Sequence, residues 1–185
     1  MSTTRDPLAP YMLVPRVLWF ALNVSNALIF GIMSATRQPR DEPFDVTLFV
    51  ALGLASVASG VAHVLLPRRL RAQHIAATRL DTTEEADPQG SVIFREAAPM
   101  VRVFASTQKA IAAAASSYQT AFIFGMAMAE SIGIYGGVLA FLGCPLEQAV
   151  AFPLVGALLM ARLFPTRQKM LGPLEAHYGA KVRDA

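Results

Sequence analysis

The stretch that decides the fold runs from Tyr118 to Leu142: YQTAFIFGMAMAESIGIYGGVLAFL. It holds one charged residue, Glu130, and no proline. A helix needs ~20 mostly apolar residues to cross a bilayer, so this stretch predicts a transmembrane helix. Three others predict the same: Tyr11–Met33, Phe44–Leu66 and Leu146–Phe164. Composition agrees. Of 185 residues, 54% are hydrophobic and 16% charged, whereas a soluble domain carries about 25% charge. That balance excludes a disordered chain and argues against an ordinary soluble enzyme. The expected fold class is all-α, an integral membrane bundle of four transmembrane helices with a partly helical cytoplasmic loop.

Basic residues orient the bundle. Of the 16 Lys and Arg residues, only Arg37 and Arg40 fall in the first loop, and none falls in the turn 143–145. The rest lie in the N-terminal segment, in 67–117 or after Leu146. The positive-inside rule places these parts, and both termini, in the cytoplasm. The same asymmetry accounts for the net charge of +3 without nucleic acid. An alternative for Tyr11–Met33 is a signal peptide cleaved after a small residue such as Ala35, although its apolar run exceeds the ~7–15 residues of a signal core. The chain then divides into a hairpin (1–66), a cytoplasmic loop (67–117), a second hairpin (118–164) and a tail (165–185).

Within the loop, Arg68-Arg69-Leu70-Arg71 directly follows a span. It reads as a stop-transfer run and an anionic-lipid contact. Asp81, Glu84, Glu85 and Asp87, mixed with Thr82, Thr83, Pro88 and Gly90, read as a solvated linker. Residues 91–117 predict an amphipathic helix on the membrane surface, with Ile93, Val101, Phe104 and Ile111 as apolar contacts and a break at Pro99.

Glu130 is the acid deepest in any span. Twelve residues on each side, or ~18 Å of helix, place it near the bilayer midplane. A central charge costs at least ~2.5–3.5 kcal/mol there, so the carboxyl carries a proton or meets a donor or cation. Two readings stay open. One is a proton- or cation-binding site; the other is a carboxyl bonded between helices to hold the bundle. Ala121, Gly125, Ala129, Gly133 and Gly137 recur every four residues and form a ridge of small residues suited to close helix packing. The second span has Ala51, Ala55, Ser59, Ser56 and Gly60, which makes it the expected partner. Asn23, Ser25 and Asn26 predict interhelical hydrogen bonds, and Pro153 a kink. Tyr11 and Trp19 fit interfacial anchors, and His63 an interfacial position. Cys144 reads as inert, and one cysteine excludes a disulfide framework. No phosphate loop, paired nucleophile or metal spacing is present, so neither enzyme chemistry nor a cofactor is expected.

The run Ala127–Phe141, AMAESIGIYGGVLAF, resembles the carboxylate helix of rotary ATP synthase subunit c, the proteolipid. In that family an Ala-Glu pair precedes small and apolar residues, then Tyr-Gly and an apolar run. The resemblance implies that Glu130 binds a translocated proton or sodium ion, with Ser131 and Tyr135 as its neighbours. It also implies assembly, as a homo-oligomer or as a subunit of a larger membrane complex. The packing reading makes the chain an accessory subunit instead, with Gly125, Ala129, Gly133 and Gly137 as the contact ridge.

Overall fold

The computed structural model describes residues 6–37, 44–86 and 99–183. The chain is mostly helical. In order it forms α1 (Ala9–Ala35), α2 (Val46–Ala77), β1 (Thr82–Ala86), β2 (Met100–Phe104), α3 (Thr107–Phe141), α4 (Leu146–Ala149), α5 (Ala151–Arg162) and α6 (Arg167–Tyr178). Among the described residues three helices, α1, α2 and α3, are long and apolar enough to cross a membrane. A fourth is added if the bent pair Leu146–Arg162 and Arg167–Tyr178, which turns by 59°, counts as one span.

α3 is the axis of the bundle. It packs against α2, α5 and α1. Half of its most apolar window is buried inside the protein, against 6% for α1 and α2. The outer helices therefore turn large side chains away from the core: Val17, Phe20 and Leu28 on α1, and Leu54, Val57 and Val61 on α2, are all exposed. A water-soluble surface rarely shows contiguous apolar patches above a few hundred Å². A helix apolar on both its buried and its outer face is the pattern of a membrane span.

Local chemistry sets the ends. Asp45 caps α2, its side chain accepting from Thr47 N at 2.8 Å, and Ser106 and Thr166 cap α3 and α6 in the same way. This satisfies donors that a helix start leaves orphaned. Gly179 ends α6 in the left-handed region, φ 59°, where glycine carries no Cβ penalty. Val150 separates α4 from α5. The ring of Pro153 removes the N–H that the Ala149 carbonyl would accept.

The loop 67–117 differs from expectation in three ways. α2 does not stop at Leu66 but continues through Pro67 and the arginine run to Ala77. After one lost hydrogen bond at Pro67, the sequence RRLRAQHIAA is rich in strong helix formers, and Ile75 is buried at its end. The acidic stretch is partly ordered: Thr82–Ala86 pairs antiparallel with Met100–Phe104, Glu84 opposite Arg102. The Glu84–Arg102 pair, 3.8 Å apart and more than half exposed, contributes little. Burial of Val103 and Phe104 is the stronger reason for the hairpin. The amphipathic helix expected over 91–117 is replaced at Met100–Phe104 by a strand, because Val101 and Val103 are β-branched and face a core. Ile93, Arg95 and Glu96, like Arg40, Asp87, Pro88 and Gly90, lie outside the described residues.

These parts form a cap on one end of the bundle. Lys181 N donates to Arg102 O at 2.9 Å, and Phe104 N to Lys181 O at 3.3 Å, so the tail runs beside β2. Phe104, Ile111, Ala115, Met170, Leu174 and Val182 share one buried cluster that continues down α3 to Tyr118 and Met126 and takes in Met160 of α5. A smaller cluster closes the other end around Leu139, Ala140, Cys144 and Ala149, with Phe49 and Phe152 packed edge to face at 5.9 Å.

Candidate functional site

The packed face of α3 is built from missing side chains. A Cβ at Gly133 would stand 1.7 Å from Asn26 Oδ1, one at Gly137 would stand 2.8 Å from Met33 Sδ, and one at Gly136 would stand 2.8 Å from the Ala149 carbonyl. Gly156 of α5 answers from the other side, its added Cβ falling 2.8 Å from Ala129 O. The ridge Gly125, Ala129, Gly133 and Gly137 is buried throughout. Its Gly133–Gly137 end receives α1, and Gly125 faces Leu163 and Pro67. The expected partner, α2, does pack on α3: it meets the ridge at Gly125 and the flank beside it at Ser131, while α1 takes the Gly133–Gly137 end.

Polar contacts tie the outer helices α1 and α2 to α5 and α3. Asn26 of α1, 3% exposed, reaches between Gly133 and Gly156, and its Nδ2 donates to Pro153 O at 3.2 Å. Its Oδ1 is buried without a conventional donor and lies against the Gly133 Cα, in position for a weak Cα–H···O contact. Trp19 Nε1 donates to Met160 O at 2.7 Å and ties α1 to α5. His63 of α2 is buried, and Nδ1 lies 2.9 Å from Gly125 O. A carbonyl only accepts, so Nδ1 carries the proton in this contact. His63 thus ties α2 to α3. Of the other expected interhelical amides, Asn23 donates to Trp19 O at 2.7 Å within its own helix.

Glu130 is partly exposed. Viewed down α3 it lies ~20° from Gly137 and ~60° from Gly133, which puts it at the edge of the seam with α1. Among the described residues its carboxylate has no hydrogen bond or ion pair. Ser131 turns the other way. Its Oγ bonds Met128 O at 2.9 Å and Ser59 Oγ of α2 at 3.2 Å. Tyr135 is partly buried and stands ~140° around the helix from Glu130. Ser131 and Tyr135 therefore share the α2 flank, and Glu130 stands apart on the α1 flank. The freed Ala149 carbonyl abuts Gly136 rather than opening to a cavity. Among the described residues no group of three or more His, Cys, Asp and Glu side chains is placed to hold a metal ion.

Two cavities flank the axis. One, about 430 Å³, is an apolar groove between α2 and α5 floored by Ile132. Gly53 and Gly60 open onto it, with nothing within 4 Å of a Cβ added at either. The other, about 360 Å³, is cationic and lies where α2, α3 and α5 meet the cap. Sequence reasoning missed it because half of its cations, Arg162 and Lys169, come from the far end of the chain. Basic residues just after the fourth apolar run were the available signal. No known protein family, characterised protein or solved structure matches the chain, so its function is read from these residues.

Proposed function

We propose that the chain is a small integral membrane subunit, with four membrane-embedded segments and both termini cytoplasmic, that takes up a proton or cation at Glu130. One observation carries this reading. On a helix whose sides toward α1 and α5 are closed by glycine contacts, Glu130 is a carboxyl that is partly exposed and, among the described residues, unpaired. A carboxyl used as an interhelical bond would be enclosed and bonded. A carboxyl at lipid depth without a partner is neutral by protonation or neutralised by an incoming cation. The likeness of Ala127–Phe141 to a proteolipid carboxylate helix supports the same reading.

A second reading has its own support. Ser131 and Tyr135 lie on the opposite flank, so one chain does not assemble an ion cage around Glu130. An accessory subunit, in which Glu130 meets a donor on another protein at the α1–α3 seam, satisfies the same geometry.

Carbodiimide labelling of the purified protein in detergent, read at Glu130 by mass spectrometry across pH, separates the two. The ion-site reading expects labelling that declines as pH rises, and a Glu130→Gln variant that folds and assembles normally but takes no label. Absence of labelling at every pH in folded protein sinks the ion-site reading and sends the search to a partner complex.

A further inference from the structure

Three apolar segments end at one level, and a cationic cavity of about 360 Å³ occupies the place where they end. Arg68 and Arg71 enter it from α2 just past Pro67, Arg162 from the last turn of α5, and Lys169 from the first turn of α6. Tyr118 and Phe122, at the start of the apolar part of α3, form its floor. No Asp or Glu lines it. A second cavity of about 310 Å³ shares Arg68 and Arg71 and adds His177.

The four cations differ in what holds them. Arg71 is fixed: Nη2 donates to the Lys169 carbonyl and to Met170 O at 2.9 Å, and the guanidinium lies 5.2 Å from the centre of the Tyr118 ring. Its Nε is buried with no acceptor. Lys169 Nζ donates to Arg162 O at 2.6 Å and Phe164 O at 3.1 Å, which ties the end of α5 to α6. The side chains of Arg68 and Arg162 are exposed and have no hydrogen bond or ion pair among the described residues. Two prearranged cations and two free ones thus face one concavity with no counter-charge. An anion with several acceptor oxygens would fill it, because guanidinium groups bind phosphate through charge-assisted hydrogen bonds. The apolar floor extends the preference to an anion with a hydrocarbon tail.

We infer that this cavity binds the phosphate-bearing headgroup of an anionic phospholipid, with Arg68 and Arg162 closing on the headgroup and an acyl chain running past Phe122. Basic pockets between spanning helices on the cytoplasmic side have this use. The site is narrower than a general attraction of the arginine run to a charged surface: it recruits Arg162 and Lys169, and it leaves out Arg69. The inference rests on the helices spanning a membrane and is independent of Glu130.

The test uses the full chain purified in dodecyl maltoside, with lipid retention measured by native mass spectrometry. The probes are palmitoyl-oleoyl phosphatidylglycerol, palmitoyl-oleoyl phosphatidylcholine and inorganic phosphate. The expected result is retention of phosphatidylglycerol over phosphatidylcholine. Arg68→Gln and Arg162→Gln each weaken it about tenfold or more, as loss of a charge-assisted hydrogen bond requires. Arg69→Gln changes it less than twofold. Neither Arg68 nor Arg162 supports an internal contact, so the variants keep the fold. Equal retention of the two lipids, or a loss with Arg69→Gln equal to that with Arg68→Gln, overturns the site. Displacement of phosphatidylglycerol by an equal concentration of phosphate overturns the lipid assignment. Recovery of the protein from the aqueous rather than the membrane fraction of cells overturns the spanning reading separately.

Discussion

Gly133→Ala tests the architecture at its tightest point. The added methyl would stand 1.7 Å from Asn26 Oδ1, 2.7 Å from its Cγ and 3.1 Å from Nδ2. A comfortable carbon–oxygen separation is about 3.3 Å, so Asn26 must withdraw by roughly 1.5 Å. It has no room to do so, since Gly156 and the Pro153 carbonyl lie behind it. Two costs follow: overpacking, typically ~1–3 kcal/mol, and loss of the Asn26–Pro153 hydrogen bond, on average ~0.6 kcal/mol between membrane helices. We expect a destabilisation of about 2–3 kcal/mol, measured by reversible unfolding in mixed detergent micelles. Gly60→Ala is the matched control. Its methyl meets nothing within 4 Å, and alanine's higher helix propensity makes the change neutral or stabilising by up to ~1 kcal/mol. A double-mutant cycle isolates the contact. Asn26→Ala alone loses the hydrogen bond, and Gly133→Ala added to it meets no amide, so the pair costs less than the sum of the two by 1 kcal/mol or more. Equal stability of Gly133→Ala and Gly60→Ala, or additivity in the cycle, would refute the placement of α1 against the ridge.

Three shorter predictions bear on other parts of the chain. Gly156→Ala presses a methyl to 2.8 Å from Ala129 O and 3.3 Å from Gly133 N; these are backbone atoms that cannot rotate away, so we expect ~1–3 kcal/mol lost in the same assay, and a neutral result argues against α5 lying there. Tyr178→Phe removes the hydroxyl that donates to the Thr78 carbonyl while keeping the ring against Phe104. At ~1 kcal/mol per hydrogen bond the tail should open about fivefold more often, seen as faster trypsin cleavage after Lys181 and Arg183 with the core intact. Burial pushes the Cys144 thiol up from its ordinary value, Arg37 opposing and Glu147 reinforcing the shift. Less thiolate is then present at any given pH, so maleimide labelling of folded protein should run slower than that of an SDS-denatured control and keep climbing above the usual thiol range. Arg37→Gln should slow it further; faster labelling would contradict the sign.

Hydropathy made the long apolar helices legible, because a continuous apolar run of that length shows in the sequence whatever the packing. Tyr11–Met33, Phe44–Leu66 and Tyr118–Leu142 each fall within a helix or overlap one to within a few residues. The order of packing was harder to read. A four-residue glycine repeat says that something approaches closely, and the small residues of α2 made it the obvious candidate. Yet the ridge is shared: Pro67 and His63 of α2 meet it at Gly125, Gly156 of α5 at Ala129, and Asn26 and Met33 of α1 fill its Gly133–Gly137 end. What decides between the candidates is fit to one hole, and a sequence pattern carries no shape. The cap was least legible. β1 and β2 are separated by thirteen residues and stabilised by a tail that returns from Lys181, a non-local pairing that neither strand's composition announces. The arginine run was visible, and its two distant partners in the cavity were not.

The α-helical period explains why the carboxylate motif does not close into a site within one chain. Successive residues are ~100° apart, so Glu130 and Ser131 leave α3 in different directions, and Tyr135, five residues on, returns to the side of Ser131. With α1 on one side and α2 on the other, each direction acquires a different neighbour. Ser131 meets Ser59. Glu130 lies ~20° around α3 from Gly137, which meets α1. The α1 and α5 sides of α3 are already closed by Asn26, Met33 and Gly156. If Glu130 takes up an ion as proposed, its further ligands come from outside the bundle along the α1–α3 seam, and a second chain is one source. A copy of this chain would bring its own exposed apolar helices to the seam, and a different subunit would bring a donor. Crosslinking from a cysteine placed at Ile134, exposed and ~40° around α3 from Glu130, distinguishes these cases. Ile134–Ile134 disulfides in membranes mean copies meet beside Glu130. Crosslinks only to another polypeptide mean the accessory role.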